Sequence, residues 1–222
     1  ATPARQGVIL AGLGELSVLL AERLRQAGEP VTLVGLDRGR IQGIMRRNLP
    51  VIDGDPTDPS VLERAGAESA AALMALTTGD ETNLAACRVV DETFGVPHRV
   101  ALVGDPAIAA RVNDEGTRVV QPQLATALAL EGALHFPSAF DMLANHSDGV
   151  EVREGILNNP RLDGWPLRRI HLPGNVLALG LRRGDDVMVP HGETVLRQGD
   201  VLMLVGHPDE LQEAMAWLCP PC

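Results

Sequence analysis

The sequence predicts an α/β protein in which a doubly wound parallel sheet is followed by a small α+β domain. Residues 1–122 alternate short apolar runs with amphipathic segments of helical period, as in a parallel sheet covered by helices on both faces. The apolar run that ends at Ala11 passes through Gly12-Leu13-Gly14 directly into a helical pattern. After about residue 150 the chain changes to short strands separated by Gly-Asp turns. The first segment is therefore a Rossmann-type domain.

Six strands and five helices are predicted in residues 1–122. Asp58 and Asp105 precede prolines that open helices, and Gly28, Gly95 and Gly116 stand where helices should end. The strands are predicted at 8–11, 31–34, 50–52, 72–76, 99–103 and 118–120, and the helices at 15–27, 38–46, 59–65, 80–94 and 106–115.

Residues 123–149 are predicted to link the two domains. The stretch from Leu124 to Asn145 is almost uncharged and apolar on nearly every helical face, with Pro137 interrupting it. A helix of this kind has to be buried. Because the sheet domain before it is already complete, we expect this linker helix to be covered at a dimer interface.

The last segment, residues 150–222, is predicted to be a small α+β domain. Its strands begin at positions 150, 176, 187 and 201, and a helix closes it at 208–218. Turn sequences at 183–186 and 198–200 separate the strands. A domain of this size is near the lower end of the usual range.

The composition argues against several classes of protein. A net charge of −10 disfavours binding to nucleic acid or to an anionic membrane surface. No apolar stretch approaches the ~18 residues of a transmembrane helix, and we expect no signal peptide. Three cysteines in 222 residues do not form a disulfide framework, which favours a reducing, cytoplasmic compartment.

Gly12-Leu13-Gly14 lies at a strand-to-helix turn, where backbone N–H groups and the helix dipole favour a phosphate. Ser17 replaces the third glycine of the dinucleotide fingerprint, and its small side chain is expected to pack there. The motif alone is weak evidence, because strand-to-helix turns also use glycine for steric reasons.

Further motifs follow in order along the chain. In the sheet domain they are Gly-Asp-Pro-Thr-Asp-Pro-Ser at 54–60, continuing to 66, and Thr-Thr-Gly-Asp-Glu-Thr-Asn-Leu at 77–84. In the α+β domain they lie at 157–172, 179–183, 189–190 and 196–202. Together with the glycine motif, they resemble the RCK (KTN, or TrkA-type) regulators of potassium transport, in which a TrkA-N domain precedes a TrkA-C domain. The resemblance covers nearly the whole chain.

This resemblance implies a cytoplasmic module that binds an adenine nucleotide such as NAD(H), ATP or ADP. It also implies a homodimer or larger ring that controls a membrane-embedded cation channel or transporter. By position, Gly12 and Gly14 would face the phosphates, Asp55 the adenine end and Thr78 the ribose–phosphate side. The resemblance implies neither catalytic residues nor a metal site.

Three positions depart from the family pattern. The acid that binds the adenosine ribose at the end of the second strand is Gly35 here, and Asp37 would replace it only if the loop bends back. An arginine of the fifth strand is Val103, and an acid after the proline that ends the domain is Gln123. Each change removes a polar contact, so nucleotide binding is expected to be weakened.

Several polar residues have a structural as well as a functional interpretation. Asp55 is equally well explained as an adenine ligand or as an Asx turn. Asp80, Glu81 and Asn83 open a helix, so capping and dipole pairing are the preferred interpretation.

The second domain and the C-terminus contain two further candidates. Arg182 and Arg183 are expected in a solvated turn, and the alternative is an anion site for a cyclic dinucleotide. Cys219 and Cys222 have the spacing of half a zinc site or a redox pair, but no second pair is present and Cys87 is expected in the core. The six histidines show no i, i+4 pair and are expected at the surface or in turns.

Three functional hypotheses remain. The first is a non-enzymatic, ligand-sensing regulatory module of a potassium channel or transporter. The second is a degenerate RCK domain that has lost its nucleotide and serves in assembly only. The third, an NAD-dependent oxidoreductase, would need a general acid and a substrate domain larger than residues 150–222.

Overall fold

A computed structural model describes residues 5–112, 116–135 and 150–219. The chain divides between Leu128 and Ala129 into two compact units. The first contains a parallel sheet and the second an antiparallel sheet. The division into segments 1–122, 123–149 and 150–222 stays a prediction.

The first unit has a six-stranded sheet in the order β3-β2-β1-β4-β5-β6, and every neighbouring pair is parallel. This confirms the predicted doubly wound sheet. The strands are β1 (Val8–Ala11), β2 (Val31–Gly35), β3 (Val51–Asp53), β4 (Ala72–Ala75), β5 (His98–Leu102) and β6 (Thr117–Val120).

Five helices connect these strands, and four of them lie within two residues of their predicted bounds. The helices are α1 (Glu15–Gln26), α2 (Arg38–Arg46), α3 (Pro59–Arg64), α4 (Asp80–Phe94) and α5 (Pro106–Ala109). The prediction of 106–115 for the fifth helix was wrong. The amides of Arg111 and Val112 bond to carbonyls three residues back, which tightens the chain into turns after a single helical turn.

Both faces of the parallel sheet are buried. Ile9 and Leu10 are neighbours in β1 and point to opposite faces, yet both are almost inaccessible to solvent. Leu10 packs in the cluster that contains Ile44 of α2, and Ile9 packs in the cluster that contains Cys87 and Val90 of α4. Cys87 is a core residue, as predicted.

Short polar residues begin the helices of the first unit. The side chains of Asp37, Asp58 and Asp105 each accept a hydrogen bond from a backbone N–H in the first turn of α2, α3 and α5. Hydrogen bonds from the Ser60 side chain and backbone hold the pKa of Asp58 below its usual value. At the other end of α4, Gly95 ends the helix with a left-handed backbone (φ 62°).

A sixth helix, α6 (Pro122–His135), follows the parallel sheet. None of its residues is buried within the described part of the chain, and Leu124, Leu128, Leu130 and Leu134 are all more than half exposed. Pro137 and the rest of the predicted linker helix lie outside the described residues. That a second subunit packs against this helix stays a prediction.

The second unit has a four-stranded antiparallel sheet in the order β7-β10-β8-β9, with one helix against it. Its elements are β7 (Glu151–Ile156), β8 (Leu177–Arg183), β9 (Asp186–Met188), β10 (Val201–Gly206) and the closing helix α7 (Pro208–Leu218). The core consists mainly of leucines, among them Leu181, Leu202, Leu204, Leu211 and Leu218, which are inaccessible to solvent or nearly so. This confirms the predicted small α+β domain.

An ion pair connects the strands of this unit. Arg183 at the end of β8 donates from Nε and Nη2 to the two carboxylate oxygens of Asp200, at 2.8 and 2.7 Å. Asp200 is 1% exposed and also accepts a hydrogen bond from the backbone of Arg197. The expectation that Arg183 lies in a solvated turn was wrong, because its guanidinium also donates to the carbonyl of Val195. Arg182 is exposed.

Replacing Asp200 with Asn is expected to lower the free energy of unfolding of the second unit by about 3 kcal/mol, because the partly buried Arg183 loses its charged partner. Trp165 and Trp217 are the two tryptophans of the chain and both lie in this unit, so tryptophan fluorescence during urea denaturation reports its unfolding. The matched control is Arg168→Gln, which breaks the exposed ion pair with Glu193 and should cost less than about 1 kcal/mol. Equal losses for the two variants would contradict the role of Asp200.

The stabilisation by Asp200 should also depend on pH. Burial raises the pKa of this carboxyl, but the hydrogen bonds from Arg183 and Arg197 outweigh burial and hold the pKa below its usual value. The stability difference between the unsubstituted chain and Asp200→Asn is therefore expected in full above pH about 4, the value for an unfolded aspartate, and should decrease as the pH falls from there through the lowered pKa of the folded state. The same fluorescence titration between pH 7 and pH 2 measures it. A difference that stays constant from pH 7 to pH 2 would contradict the prediction.

Candidate functional site

The candidate site lies at the carboxyl ends of β1 and β4. These two strands are neighbours at the centre of the sheet, and the chain continues from β1 to β2 on one side but from β4 to β5 on the other. The connections therefore diverge between them, and this divergence is where open α/β sheets bind ligands.

Gly12 and Gly14 form the turn between β1 and α1, and they differ in the space around them. Gly12 has a φ of 127°, and a Cβ atom there would lie 2.9 Å from the carbonyl carbon and oxygen of Leu76 at the end of β4. Gly14 has an ordinary φ of −71°, and a Cβ atom there would meet only the tip of Arg40, at 3.9 Å. Gly12 is therefore required by the fold, whereas the space beside Gly14 is open.

Helix α1 starts at this turn without a side-chain cap, because Gly14 is its N-cap residue. Its first backbone N–H groups are available to an anion, as in other glycine turns that precede helices. Ser17 is fully buried, which confirms that its side chain packs at the third position of the motif. Its hydroxyl has no hydrogen-bond partner among the described residues.

The loop after β4 is held by Asn83, which is fully buried. Its Oδ1 accepts hydrogen bonds from the backbone N–H and the hydroxyl of Thr77, at 2.9 and 2.6 Å. Its Nδ2 donates to the carbonyls of Thr77 and of Leu102 at the end of β5, at 3.0 and 2.7 Å. Asn83 therefore does not cap α4 but joins the ends of two strands.

Asp80 acts in a similar way on the loop that follows β5. Its two carboxylate oxygens accept hydrogen bonds from the backbone N–H groups of Gly104 and Asp105, at 2.9 and 2.8 Å. These two bonds hold the pKa of Asp80 below its usual value. The capping part of the prediction was wrong for Asp80 and Asn83, because both side chains bond to neighbouring loops, whereas Asp80 and Glu81 lie in the first turn of α4, as dipole pairing requires. In the sequence, the only sign of these loop contacts is that polar residues follow a predicted strand.

Asp55 follows β3 in the loop next to the end of β2, where the amide of Gly54 bonds to the carbonyl of Gly35. Its Oδ1 accepts hydrogen bonds from the backbone N–H and the hydroxyl of Thr57, at 2.8 and 2.7 Å. This is the geometry of the Asx-turn interpretation. Thr78 lies exposed in the loop after β4. The contacts of Asp55 and Thr78 with a ligand stay predictions.

Asp37 caps α2 and is paired with Arg40. One carboxylate oxygen accepts from the backbone N–H of Arg40 at 3.0 Å, and the other lies 3.3 Å from the Nε of the same residue. The Nη1 of Arg40 donates to the carbonyl of Leu13 in the glycine turn, at 3.2 Å. No local pattern in the sequence indicates Arg40, because its contact with the glycine turn joins residues 27 positions apart.

Packing differs at the three positions that depart from the family pattern. A Cβ atom on Gly35 would lie 2.6 Å from Cγ of the buried Leu13, so the packing fills the position of the missing acid. Val103 is completely buried in the core cluster, and Gln123 is exposed in α6. The sheet therefore brings Gly12, Gly14 and the loop of Asp37 to one edge.

The remaining candidates form no site in the described residues. In residues 5–112, 116–135 and 150–219, no group of three or more His, Cys, Asp or Glu side chains is placed to hold a metal ion. Cys219 is an exposed free thiol, and Cys222 lies outside the described residues. None of the described helices combines the length and apolar character needed to cross a bilayer.

Curated relatives were found over nearly the whole chain. The Trk system potassium uptake protein TrkA homolog of Archaeoglobus fulgidus is 26% identical over 220 residues, which cover 96% of this chain and 50% of the relative. TrkA of Vibrio alginolyticus is 26% identical over 225 residues, covering 95% and 49%. TrkA of Streptomyces coelicolor is 26% identical over 214 residues, covering 94% of both. The chain thus spans about half the length of the first two relatives.

Solved structures share the fold. The gating ring of human SLO3 has a TM-score of 0.63 at 13% identity, covering 95% of this chain and 46% of that one. The TrkA-N domain of the inner membrane protein YbaL of Escherichia coli has a TM-score of 0.53 at 18% identity, covering 60% and 100%. The GsuK channel bound to NAD has a TM-score of 0.51 at 18% identity, covering 100% and 41%.

Two family profiles account for both units. The TrkA-N domain profile matches residues 8–123, which hold the parallel sheet and the glycine turn. The TrkA-C domain profile matches residues 152–218, which hold the antiparallel sheet and α7. The chain therefore belongs to the RCK/TrkA family, with a TrkA-N domain followed by a TrkA-C domain.

Proposed function

We propose that this chain is a ligand-sensing regulatory module of a potassium or other monovalent-cation channel or transporter. The observation that carries the proposal is the glycine turn at the switch point of the sheet, with its close contact at Gly12 and its open space at Gly14. The curated relatives support it, since they are named as potassium uptake proteins. Membership of this family agrees with a regulatory rather than a catalytic role.

The proposed ligand is an adenine nucleotide, such as NAD(H), ATP or ADP. Its phosphates would lie at Gly12 and Gly14, its adenosine would face the loops of Asp37 and Asp55, and Thr78 would lie on the ribose–phosphate side. The first N–H groups of α1 support the phosphate position, because they lack a side-chain cap. A further support is that a channel of the same fold, GsuK, was solved bound to NAD.

The proposed partners are a second copy of this chain, or a larger ring, and a membrane-embedded channel or transporter at the cytoplasmic face of the membrane. Four leucines of α6 are exposed in the single chain, namely Leu124, Leu128, Leu130 and Leu134. Large exposed apolar areas mark interaction sites. A second copy of the chain is the proposed cover.

The proposed mechanism is a shift between two dimer geometries. A ligand changes the populations only to the extent that it binds one geometry more tightly than the other. Moving the equilibrium from one geometry almost completely to the other needs a difference in affinity of about 5.5 kcal/mol. The transported ion would then respond to the nucleotide without any chemical reaction in this chain.

A second candidate function is an assembly module that has lost its nucleotide. Two observations favour it: Leu13 fills the position of the ribose acid at Gly35, and a buried valine stands at position 103 in place of the family arginine. The open space beside Gly14 opposes it, since an assembly module has no need of that space. Nucleotide binding therefore separates the two candidates.

The first test is thermal unfolding of the purified chain with NAD, NADP, ATP and ADP added separately. A ligand that binds only the folded protein stabilises it by about 2.7 kcal/mol at a hundredfold excess over its Kd. We expect at least one nucleotide to raise the melting temperature measurably at millimolar concentration. If none of the four does so, the regulatory proposal fails and the assembly module takes its place.

The second test is Gly14→Val. The backbone at Gly14 suits any residue and no main-chain atom is close, so we expect the variant to fold and its unliganded melting temperature to change little. The valine side chain would occupy the phosphate position and should abolish the nucleotide-induced rise in melting temperature. Gly43→Val is the matched control, because it places the same side chain in open space on α2. A full nucleotide response in Gly14→Val would refute the proposed site.

A further inference from the structure

The end of β2 has no acid for the adenosine ribose, and the packing leaves no room for one. Dinucleotide-binding sheets usually place an Asp or Glu there to accept a hydrogen bond from the ribose 2′-hydroxyl. Here a Cβ atom on Gly35 would lie 2.6 Å from Cγ of Leu13, which is itself part of the core. A carboxylate at this position is excluded while Leu13 fills the space.

The nearest acid, Asp37, is already engaged. One of its carboxylate oxygens accepts a hydrogen bond from the backbone N–H of Arg40, and the other pairs with the Nε of Arg40 at 3.3 Å. Its charge is therefore opposed by a guanidinium in direct contact. In this conformation the Asp37 carboxylate is part of an ion pair with Arg40, and its side chain is half exposed.

The groups that take the place of the missing acid are basic. Arg40 is held against the glycine turn, because its Nη1 donates to the carbonyl of Leu13 at 3.2 Å and lies 3.9 Å from the position of a Cβ atom on Gly14. Arg38 is exposed at the first position of α2, two residues before Arg40, so the two side chains leave the first turn in different directions. Among the described residues, the Arg38 guanidinium has no ion pair or hydrogen bond. The first turn of α2 thus carries two arginines, and the carboxylate before it, Asp37, is paired with Arg40.

From these observations we infer that the glycine turn accepts an adenine nucleotide whose ribose carries a 2′-phosphate, and that it prefers this nucleotide to the unphosphorylated one. This inference rests on the proposed nucleotide binding at the same turn. The 2′-position of a ribose faces the end of β2, where an arginine accommodates a 2′-phosphate and an acid accepts from a hydroxyl. The planar guanidinium groups of Arg38 and Arg40 suit phosphate oxygens, to which they donate charge-assisted hydrogen bonds.

Isothermal titration of the full chain with NADP and with NAD tests the inference, because these two ligands differ only in the 2′-phosphate. We expect NADP to bind at least about tenfold more tightly, which corresponds to about 1.4 kcal/mol. Adenosine 2′,5′-bisphosphate and adenosine 3′,5′-bisphosphate form a second pair with equal charge. The 2′-isomer should bind more tightly, because the effect depends on the position of the phosphate.

Arg38→Gln and Arg40→Gln are the variants that should remove the preference. Each is expected to bring the NADP and NAD affinities closer together by lowering the affinity for NADP, with a small change for NAD. Arg46→Gln is the matched control, because it removes an exposed arginine at the other end of α2. Arg38 makes no contact that the fold needs among the described residues, so its variant keeps the test valid if Arg40→Gln unfolds.

The outcomes separate the inference from the proposed function. Equal affinities for NADP and NAD, or equal binding of the two bisphosphate isomers, would overturn the 2′-phosphate preference and leave nucleotide sensing intact. Binding of neither NADP nor NAD, with no response to ATP or ADP, would overturn the proposed function as well. A preference for NADP that survives in both arginine variants would overturn the assignment to Arg38 and Arg40.

Discussion

The first domain depends on one close backbone approach, between Gly12 after β1 and the carbonyl group of Leu76 after β4. A Cβ atom at position 12 would lie 2.9 Å from that carbonyl, and the φ of 127° is one that L side chains rarely adopt. This contact lets the chain turn from the central strand into α1 within three residues. The amino end of α1 is thereby placed over the point where the connections of the sheet diverge, and the candidate site exists because of that placement.

Side chains that look like caps or turn residues hold the loops around this point. The oxygen and the nitrogen of the Asn83 side-chain amide form hydrogen bonds that join the ends of β4 and β5. The Asp80 carboxylate accepts hydrogen bonds from two backbone N–H groups of the loop after β5. In the second domain, Asp200 holds the end of β8 by accepting two hydrogen bonds from Arg183. Each is a short polar side chain that forms a hydrogen bond with a distant region of the sequence: Asp80 and Asp200 accept from donors there, and Asn83 donates to the carbonyl of Leu102. Leaving these donors unsatisfied would cost the full desolvation of each group.

One residue, Leu13, determines much of the chemistry beside the glycine turn. Its side chain fills the core position that an acid at residue 35 would need, and its carbonyl oxygen accepts a hydrogen bond from Arg40. Leu13 thus occupies the space that an acid at the end of β2 would need, and its carbonyl holds the guanidinium of Arg40 nearby. Although the net charge of the chain is −10, Arg38 and Arg40 lie in the first turn of α2, next to the place where a phosphate is proposed to bind.

The order and type of the elements, the doubly wound sheet, the glycine turn and the two family domains all follow from the amino-acid sequence alone. These features depend on local periodicity, on residues such as Asp58 and Gly95 at helix ends, and on motifs that are contiguous in the chain. Three contacts emerge only in the folded chain: Asn83 joins two strands, Arg183 is committed to Asp200, and Arg40 lies against the glycine turn. They connect residues between 6 and 27 positions apart through the geometry of the sheet, and no local pattern encodes that geometry.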